Sequence, residues 1–378
     1  MRLLMVSGDR NVAVGEKGPF WTMQAEFSNH FERVDVLCPR PPGPVVVTTI
    51  HDNVHFHPAP VGRLGMARYV ARRGAELIAE HGHGLIVSHD YGWFYNGLGS
   101  ARLSRRTGVP YVSEIHHVPG YPVAADRREV FDRAIARLYV RWARRRARDF
   151  RVVNAREMPP LLERWGVPRG QIVVLSSLYI DLELYAPPNG AAAEPERDVI
   201  FVGRLVNNKG LDRLVDALAI LAGRGENRRA LLLGRGPLKQ SIEERVRRRG
   251  LSASVEFLDW VETPEELAEL YRRSRLAVCA STCEGGPRVT VEAMACGVPA
   301  VSTPVGIMGE LLEDGSCGRL AGFDAESLAE ALSAVLADED ERRAMGARAR
   351  AAVLRFEYAA NLARYADGLK RIARGELP

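Results

Sequence analysis

A chain of 378 residues with 46% hydrophobic and 26% charged side chains is globular and too long for one ordinary core, so two domains are expected. The net charge of +5 is uneven: residues 1–188 carry 25 basic and 18 acidic side chains, hence +7, and five cysteines, odd in number and set in apolar segments, argue for buried thiols rather than disulfides or a metal pair. The apolar run Leu3 to Val6 ends at Ser7-Gly8-Asp9-Arg10 and no segment approaches bilayer-spanning length, so no signal peptide is expected, and the chain reads as cytoplasmic or at most peripheral at the inner face of the membrane.

In chain order, strand-like runs fall at Leu3 to Ser7, Val34 to Cys38, Leu85 to Ser88, Tyr111 to Ser113, Phe150 to Val153 and Ile172 to Leu175, separated by stretches that can be helical. After the first run, Gly15-Glu-Lys17-Gly18 precedes a helix predicted to start near Phe20. Gly15, Lys17 and Gly18 thus stand where helix N-terminal amides meet an anion. Lys17 reads either as a contact to phosphate or acceptor or as a surface lysine. Ser88-His89-Asp90 closes the third run, with Asp90 a candidate cap for the next element. Tyr111-Val-Ser-Glu114-Ile-His116-His117 places a carboxylate and two histidines at a strand's carboxyl end, which singles out His116.

Arg127 to Arg151 holds ten arginines against Glu129, Asp132 and Asp149. Helical spacing of Ile135, Leu138, Tyr139 and Trp142 predicts an inward face, with Arg137, Arg141, Arg144, Arg145 and Arg148 outward. A solvated face is the default reading of that surface, and contact with an anionic membrane or a phosphorylated acceptor is the second. Nucleic acid is not expected, because the rest of the chain is no basic module.

Pro187 to Arg197, rich in turn formers, reads as a linker. It divides an N-terminal domain, 1–187, from a C-terminal domain, 188–355, with a last helix over 356–378 whose Phe356, Tyr358, Leu362 and Tyr365 form an apolar stripe. In the second half the strand candidates are Val199 to Val202, Ala230 to Leu233, Val255 to Leu258, Leu276 to Ala280 and Ala300 to Ser302, each with a helical pattern after it. The expected fold class is α/β, two Rossmann-like doubly wound domains whose strand ends share a cleft, which suits a two-substrate enzyme.

Gly203-Arg204, with Lys209 five residues on, comes after the first of these strands and sets a guanidinium and an ammonium on one loop, suited to a diphosphate. Gly234 comes after the next strand, and Asp259-Trp260-Val261 after another, where Trp260 reads either as a nucleobase contact or as packing. The densest signal is Glu284-Gly285-Gly286-Pro287-Arg288-Val289-Thr-Val-Glu292. It is a glycine turn opening a helix, with Pro287 at the first helical position, Gly297 at the stop and Glu292 about 7 Å along the axis from Glu284's end. Free amides and the helix dipole suit a pyrophosphate, and the pattern reads as a nucleotide-sugar site. Thr303 to Glu310 reads either as cleft floor or as a plain strand-to-helix turn.

Glu284 and Glu292 with the subsequent Ala-Met-Ala-Cys-Gly-Val-Pro, together with Gly203-Arg204-Leu205 and Lys209-Gly210, resemble the signature of the retaining glycosyltransferases of family four, with the GT-B fold. The resemblance covers nearly the whole chain. It implies that Arg204 and Lys209 hold the donor diphosphate, Glu284 engages the sugar hydroxyls, Glu292 the ribose, and the amides after Gly285 the sugar or phosphate. His116 matches the histidine near the transferred sugar, and the last helix is expected to cross back to the N-terminal domain. The implied reaction moves a hexose from a UDP- or GDP-sugar to an acceptor hydroxyl, lipid-linked or phosphorylated, in cell-envelope glycan synthesis, with retention. The segment departs from the family where Gly-Gly-Pro-Arg replaces a common Gly-Phe-Gly. No Asp-x-Asp pair stands at a strand end, so no metal and no cofactor is expected, and no Gly-x-Ser-x-Gly elbow is present. The rival readings are a nucleotide-sugar epimerase and a non-catalytic binding scaffold.

Overall fold

The computed structural model describes residues 1–188 and 194–376; the middle of the predicted linker, 189–193, and the last two residues lie outside the described residues. The chain forms two compact units. One takes Met1–Val118, Phe131–Ser177 and the chain from Ala359 onward, the other Pro119–Val130 and Leu178–Tyr358.

The first unit is built on β1 (Arg2–Val6), β2 (Arg33–Cys38), β3 (Thr49–Ile50), β4 (Val54–Pro58), β5 (Leu85–His89), β6 (Tyr111–Glu114), β7 (Asp149–Val152) and β8 (Ile172–Val174). Their order in the sheet is β3-β4-β2-β1-β5-β6-β7-β8, parallel except for the β3–β4 hairpin. Central strands such as Leu3 to Val6 and Leu85 to Val87 are buried on both faces. This is why they appear in the sequence as unbroken apolar runs. Crossing helices include Pro19–His30, which opens on proline, Met66–His81, Tyr95–Thr107 and, from Phe131 on, Arg127–Ala143. The last helix, Tyr358–Arg374, puts Leu362, Tyr365, Leu369 and Ile372 into this unit's core.

The second unit carries β9 (Arg197–Val202), β10 (Ala230–Leu233), β11 (Val255–Leu258), β12 (Ser274–Cys279), β13 (Ala300–Ser302) and β14 (Gly318–Leu320), all parallel in the order β11-β10-β9-β12-β13-β14. The stretch before Pro187 belongs here: Leu178, Ile180 and Tyr185 pack with Val291, Met294 and Val353. The units therefore divide after Ser177, ten residues ahead of the turn-rich segment.

Several local expectations are corrected. Arg144 is half-buried and donates to the Gly166 carbonyl at 2.8 Å rather than facing solvent, whereas Arg148 is exposed as expected, with one donor nitrogen on the Ile372 carbonyl at 3.0 Å. Arg151 is not on a basic surface at all but 1% exposed on β7. Asp90 caps no helix; its carboxylate accepts from Ser88, Ser113 and Tyr139. Pro287 is the N-cap of the helix Arg288–Ala295 rather than its first residue. All five cysteines are buried and free.

Candidate active site

In the second unit, Arg204 and Lys209 lie between β9 and the helix Leu211–Gly223. Gly210 has φ +64°, and a Cβ there would sit 2.0 Å from the Ala280 carbonyl oxygen just past β12. Only glycine lets these two loops close. Asn208 ties them further, accepting at its carbonyl from Thr282 N at 2.8 Å and donating from its amide to the Cys283 carbonyl at 3.3 Å. The closure brings Lys209 Nζ onto Glu284 Oε1, which also accepts from Ser281 Oγ at 2.8 Å. From the other side, Gly306 (φ +52°) abuts the same turn; a Cβ there would lie 2.3 Å from the Gly285 oxygen. Thr303 to Gly306 thus supports the Glu284 turn directly.

Glu292, 4% exposed, accepts from Arg288 Nε at 2.7 Å, and burial pushes its carboxyl up against the opposing pull of Arg288. The Arg288 guanidinium lies 5.2 Å from the Tyr179 ring centroid. Each carboxylate of the motif is therefore matched by one cation, while Arg204 is exposed. Gly203 and Gly234 stand at the ends of adjacent strands, with Gly203 N donating to the Leu233 carbonyl at 3.0 Å. Gly285 and Pro287 are buried, and Gly286 and Val289 half-buried. Val261 is half-buried beside Trp260, which is exposed, with Arg235 5.9 Å from its ring centroid.

In the first unit the centre is Glu114, buried at the end of β6. Its Oε2 lies 3.1 Å from both Arg151 Nη1 and His89 Nε2, and 3.8 Å from His116 Nε2, while Oε1 accepts from the Tyr365 hydroxyl. Burial pushes this carboxyl up, but Arg151 and then His89 outweigh it and hold it well below the usual range. Arg151 is held from every side. It donates to the Leu175 and Ser176 carbonyls at 3.0 and 2.9 Å, lies 3.8 Å from the Tyr365 ring centroid, and reaches His116 Nε2 at 3.3 Å.

A guanidinium can only donate, so His116 Nε2 accepts, and the ring is the neutral tautomer with its proton on Nδ1. Desolvation first, and Arg151 after it, lower the His116 ring to about 4 against the pull of Glu114. The side chain is 43% exposed, with its Nε2 turned toward Arg151. The sequence missed Arg151 and Tyr365, which enter from β7 and the last helix, and left His89 ambiguous.

Gly18 is the N-cap of Pro19–His30, and Phe20 on its first turn stands edge-on to His89 at 5.9 Å, which brings this helix start beside the Glu114 cluster. Lys17 is exposed with its ammonium 5.6 Å from the Trp21 ring centroid, and Gly15 closes a single 3-10 turn.

Two Rossmann-like units of parallel strands, the second bearing a glycine turn, two carboxylates and matching cations, define the GT-B class. The model for glycosyl transferases group 1 matches residues 187–352, and that for the glycosyl transferase 4-like domain matches 21–177. D-inositol 3-phosphate glycosyltransferase of Thermobispora bispora is 30% identical over 312 residues, covering 76% of this chain and 72% of that protein. The enzyme of the same name from Nocardia farcinica is 35% identical over 228 residues, 56% of this chain and 50% of that protein. The chain spans about half the length of the first of the curated relatives it matches. Among solved structures, sucrose-phosphate synthase from Thermosynechococcus elongatus superposes with a TM-score of 0.79 at 21% identity over 99% of this chain and 100% of that one. Anabaena HepE in complex with UDP and glucose gives 0.75 at 21% over 98% and 99%. The chain belongs to the family four, group 1 glycosyltransferases of the GT-B fold.

Proposed function

We propose that the protein is a retaining, metal-independent hexosyltransferase that moves a sugar from a UDP- or GDP-sugar to an acceptor hydroxyl. The observation that carries this reading is the ion pair of Lys209 and Glu284 beside exposed Arg204. A donor diphosphate brings about two negative charges and competes with Glu284 for the Lys209 ammonium. As the ammonium turns to phosphate, Glu284 keeps its bond from Ser281 and is freed to accept hydroxyl hydrogens from the sugar. Binding thus exchanges one charge-assisted contact for two, with Arg204 on the phosphate as well. In the reaction the anomeric carbon–diphosphate bond breaks and the bond to the acceptor oxygen forms on the same face. The acceptor's proton goes to the departing phosphate oxygen. Arg204 and Lys209 stabilise the charge that develops there.

Glu292 is assigned to the ribose, which must share it with Arg288, and Val261 and Gly234 to the base. The amides after Glu284, through Gly285, Gly286, Arg288 and Val289, are assigned to sugar or phosphate. His116, neutral and partly exposed, is assigned to a hydroxyl of the transferred sugar, and Gly15, Lys17 and Gly18 to an anionic group. The relatives named for D-inositol 3-phosphate support a phosphorylated polyol hydroxyl as the kind of acceptor. Arg137, Arg141 and Arg145, all exposed, support work at the inner face of an anionic membrane in envelope glycan synthesis. Among the described residues no helix is long and apolar enough to cross a membrane.

The deciding experiment incubates the protein with UDP-, GDP- and ADP-sugars, with and without chelator, and monitors the anomeric proton by NMR. Transfer or slow hydrolysis giving the α-anomer from an α-linked donor, unaffected by chelator, is expected. An inverted product, or an epimerised donor formed without acceptor, refutes the reading.

A further inference from the structure

The first unit carries an apolar groove that no donor-binding or catalytic assignment uses. Trp93, Phe94 and Leu98 form one wall and Ile135, Leu138, Tyr139 and Trp142 the other, around a cavity of about 250 Å³. Its lip is unusually exposed for side chains of this kind: Trp93 is 59% exposed, Phe131 57% and Leu138 69%. Trp93 and Phe131 meet edge-on at 6.4 Å at the open lip, and beneath them Phe94 stacks on Tyr139 at 4.2 Å, with both of these rings buried. From Phe131 to Trp142 the groove runs along the helix for about 17 Å.

Beside it runs a row of like charge. Arg137 and Arg141 on the helix and Arg145 in the turn after it recur every fourth residue, next to Leu138 and Trp142, and all three are exposed. Residues 133–148 include no acidic side chain. A narrow apolar slot with a cationic edge matches one kind of molecule: a hydrocarbon chain whose head carries a phosphate. Neither a sugar nor a free phosphate would use the slot, and an apolar protein helix would not need the arginines.

The groove also leads to the Glu114 cluster. Tyr139 OH donates to Asp90 at 2.5 Å, Asp90 N donates to the Glu114 carbonyl at 2.9 Å, and His89 stands 6.0 Å from His116, ring to ring.

We propose that this groove is a lipid site, seating one hydrocarbon chain of an anionic phospholipid with the phosphate on Arg137, Arg141 and Arg145. It rests on the reading of the protein as a membrane-surface transferase and goes beyond it, since charge attraction alone needs no slot.

The test uses vesicles of phosphatidylglycerol with brominated acyl chains, against brominated phosphatidylcholine, with tryptophan fluorescence as readout. The phosphatidylglycerol vesicles quench the protein, and Trp93→Phe/Trp142→Phe removes most of the quenching. Leu138→Glu, a change at an exposed position, weakens binding about tenfold or more, as expected for losing one leucine from an apolar contact. The triple change Arg137→Ala/Arg141→Ala/Arg145→Ala weakens it about 100-fold, near fivefold per arginine at an anionic surface, and abolishes the preference for phosphatidylglycerol. Binding that ignores Leu138→Glu, or quenching that survives in Trp93→Phe/Trp142→Phe, means surface adsorption only and overturns the proposal. A dimer in light scattering that Leu138→Glu splits, with no lipid effect, means a second copy covers the groove and overturns it equally. UDP and GDP titrated into the same preparations by calorimetry test the transferase reading separately: lost nucleotide binding refutes that reading alone.

Discussion

Arg151→Met removes the cation at the centre of the first unit while nearly preserving its volume, and its consequences can be worked out from the contacts. Arg151 is 1% exposed and Glu114 is buried, so the carboxylate left behind has no water to replace the guanidinium. Removing one partner of such a pair costs about 3–5 kcal/mol, and the carbonyls of Leu175 and Ser176 lose their donors as well, at about 1 kcal/mol or more each. Together these come to about 5 kcal/mol or more. Glu114→Gln/Arg151→Met should recover about 3 kcal/mol of this, because the stranded charge is gone while the carbonyls, at about 2 kcal/mol, stay unpaired. A chain of two units does not unfold in one step, so the measurement is hydrogen exchange at the amides of β6 and β7 rather than a global midpoint. The same substitution moves His116. Without the guanidinium at 3.3 Å and with Glu114 still 3.8 Å away, the ring rises from about 4, though only part of the way to its ordinary 6.5 because its desolvation remains, read by NMR titration. A loss under about 1 kcal/mol, or a His116 titration that stays put, would refute the account of the cluster.

Lys209→Ala and Arg204→Ala should each lower turnover by about 100-fold or more, the scale of one lost charged contact to a leaving group; rates within threefold of the parent would end the diphosphate role. Glu292→Gln keeps the shape but not the charge that a ribose hydroxyl would meet, and nucleotide affinity measured by calorimetry should fall about tenfold, with no change ruling the ribose out. Asp90 is raised to about 7, by burial foremost, against donation from Ser113, Tyr139 and Ser88. A carboxyl raised in the folded state binds its proton more tightly there than when unfolded. Its stabilisation is thus complete below about 4 and lost as pH climbs to about 7, some 4 kcal/mol in all. Asp90→Asn should flatten exchange protection in β5 and β6 over that range, and an unchanged slope would show that Asp90 titrates normally.

The alternation of apolar runs with helical stretches made both sheets legible, because strands buried on two faces must be apolar throughout. The hairpin of β3 and β4 was not legible, nor was the short edge strand β14. Val54-His-Phe-His-Pro looks half polar; it pairs with β2 and buries Val54 and Phe56, and its His57 donates at 2.7 Å to Asp35 on that neighbouring strand, which also accepts from His83, near β5, at 2.8 Å. Arg151 was hidden for the same reason. It closes a run of arginines that looks uniformly solvated, and its partner lies 37 residues earlier on β6. At the Glu284 turn the contributing residues are near in sequence or set by glycines, so the motif could be read; that Arg288 would occupy Glu292 emerged only once one helical turn had folded.

The ion pair at Lys209 has a practical side. The chain has only four lysines, Lys17, Lys209, Lys239 and Lys370. An amine-selective reagent therefore has few targets, and Lys209, 16% exposed against Glu284, should label slowly in the empty protein and hardly at all once a nucleotide diphosphate covers it. Three internal standards sit in the same polypeptide, so a single digest analysed by mass spectrometry becomes an occupancy gauge for the proposed donor site, applicable to any sugar nucleotide and without knowing what the sugar is passed to.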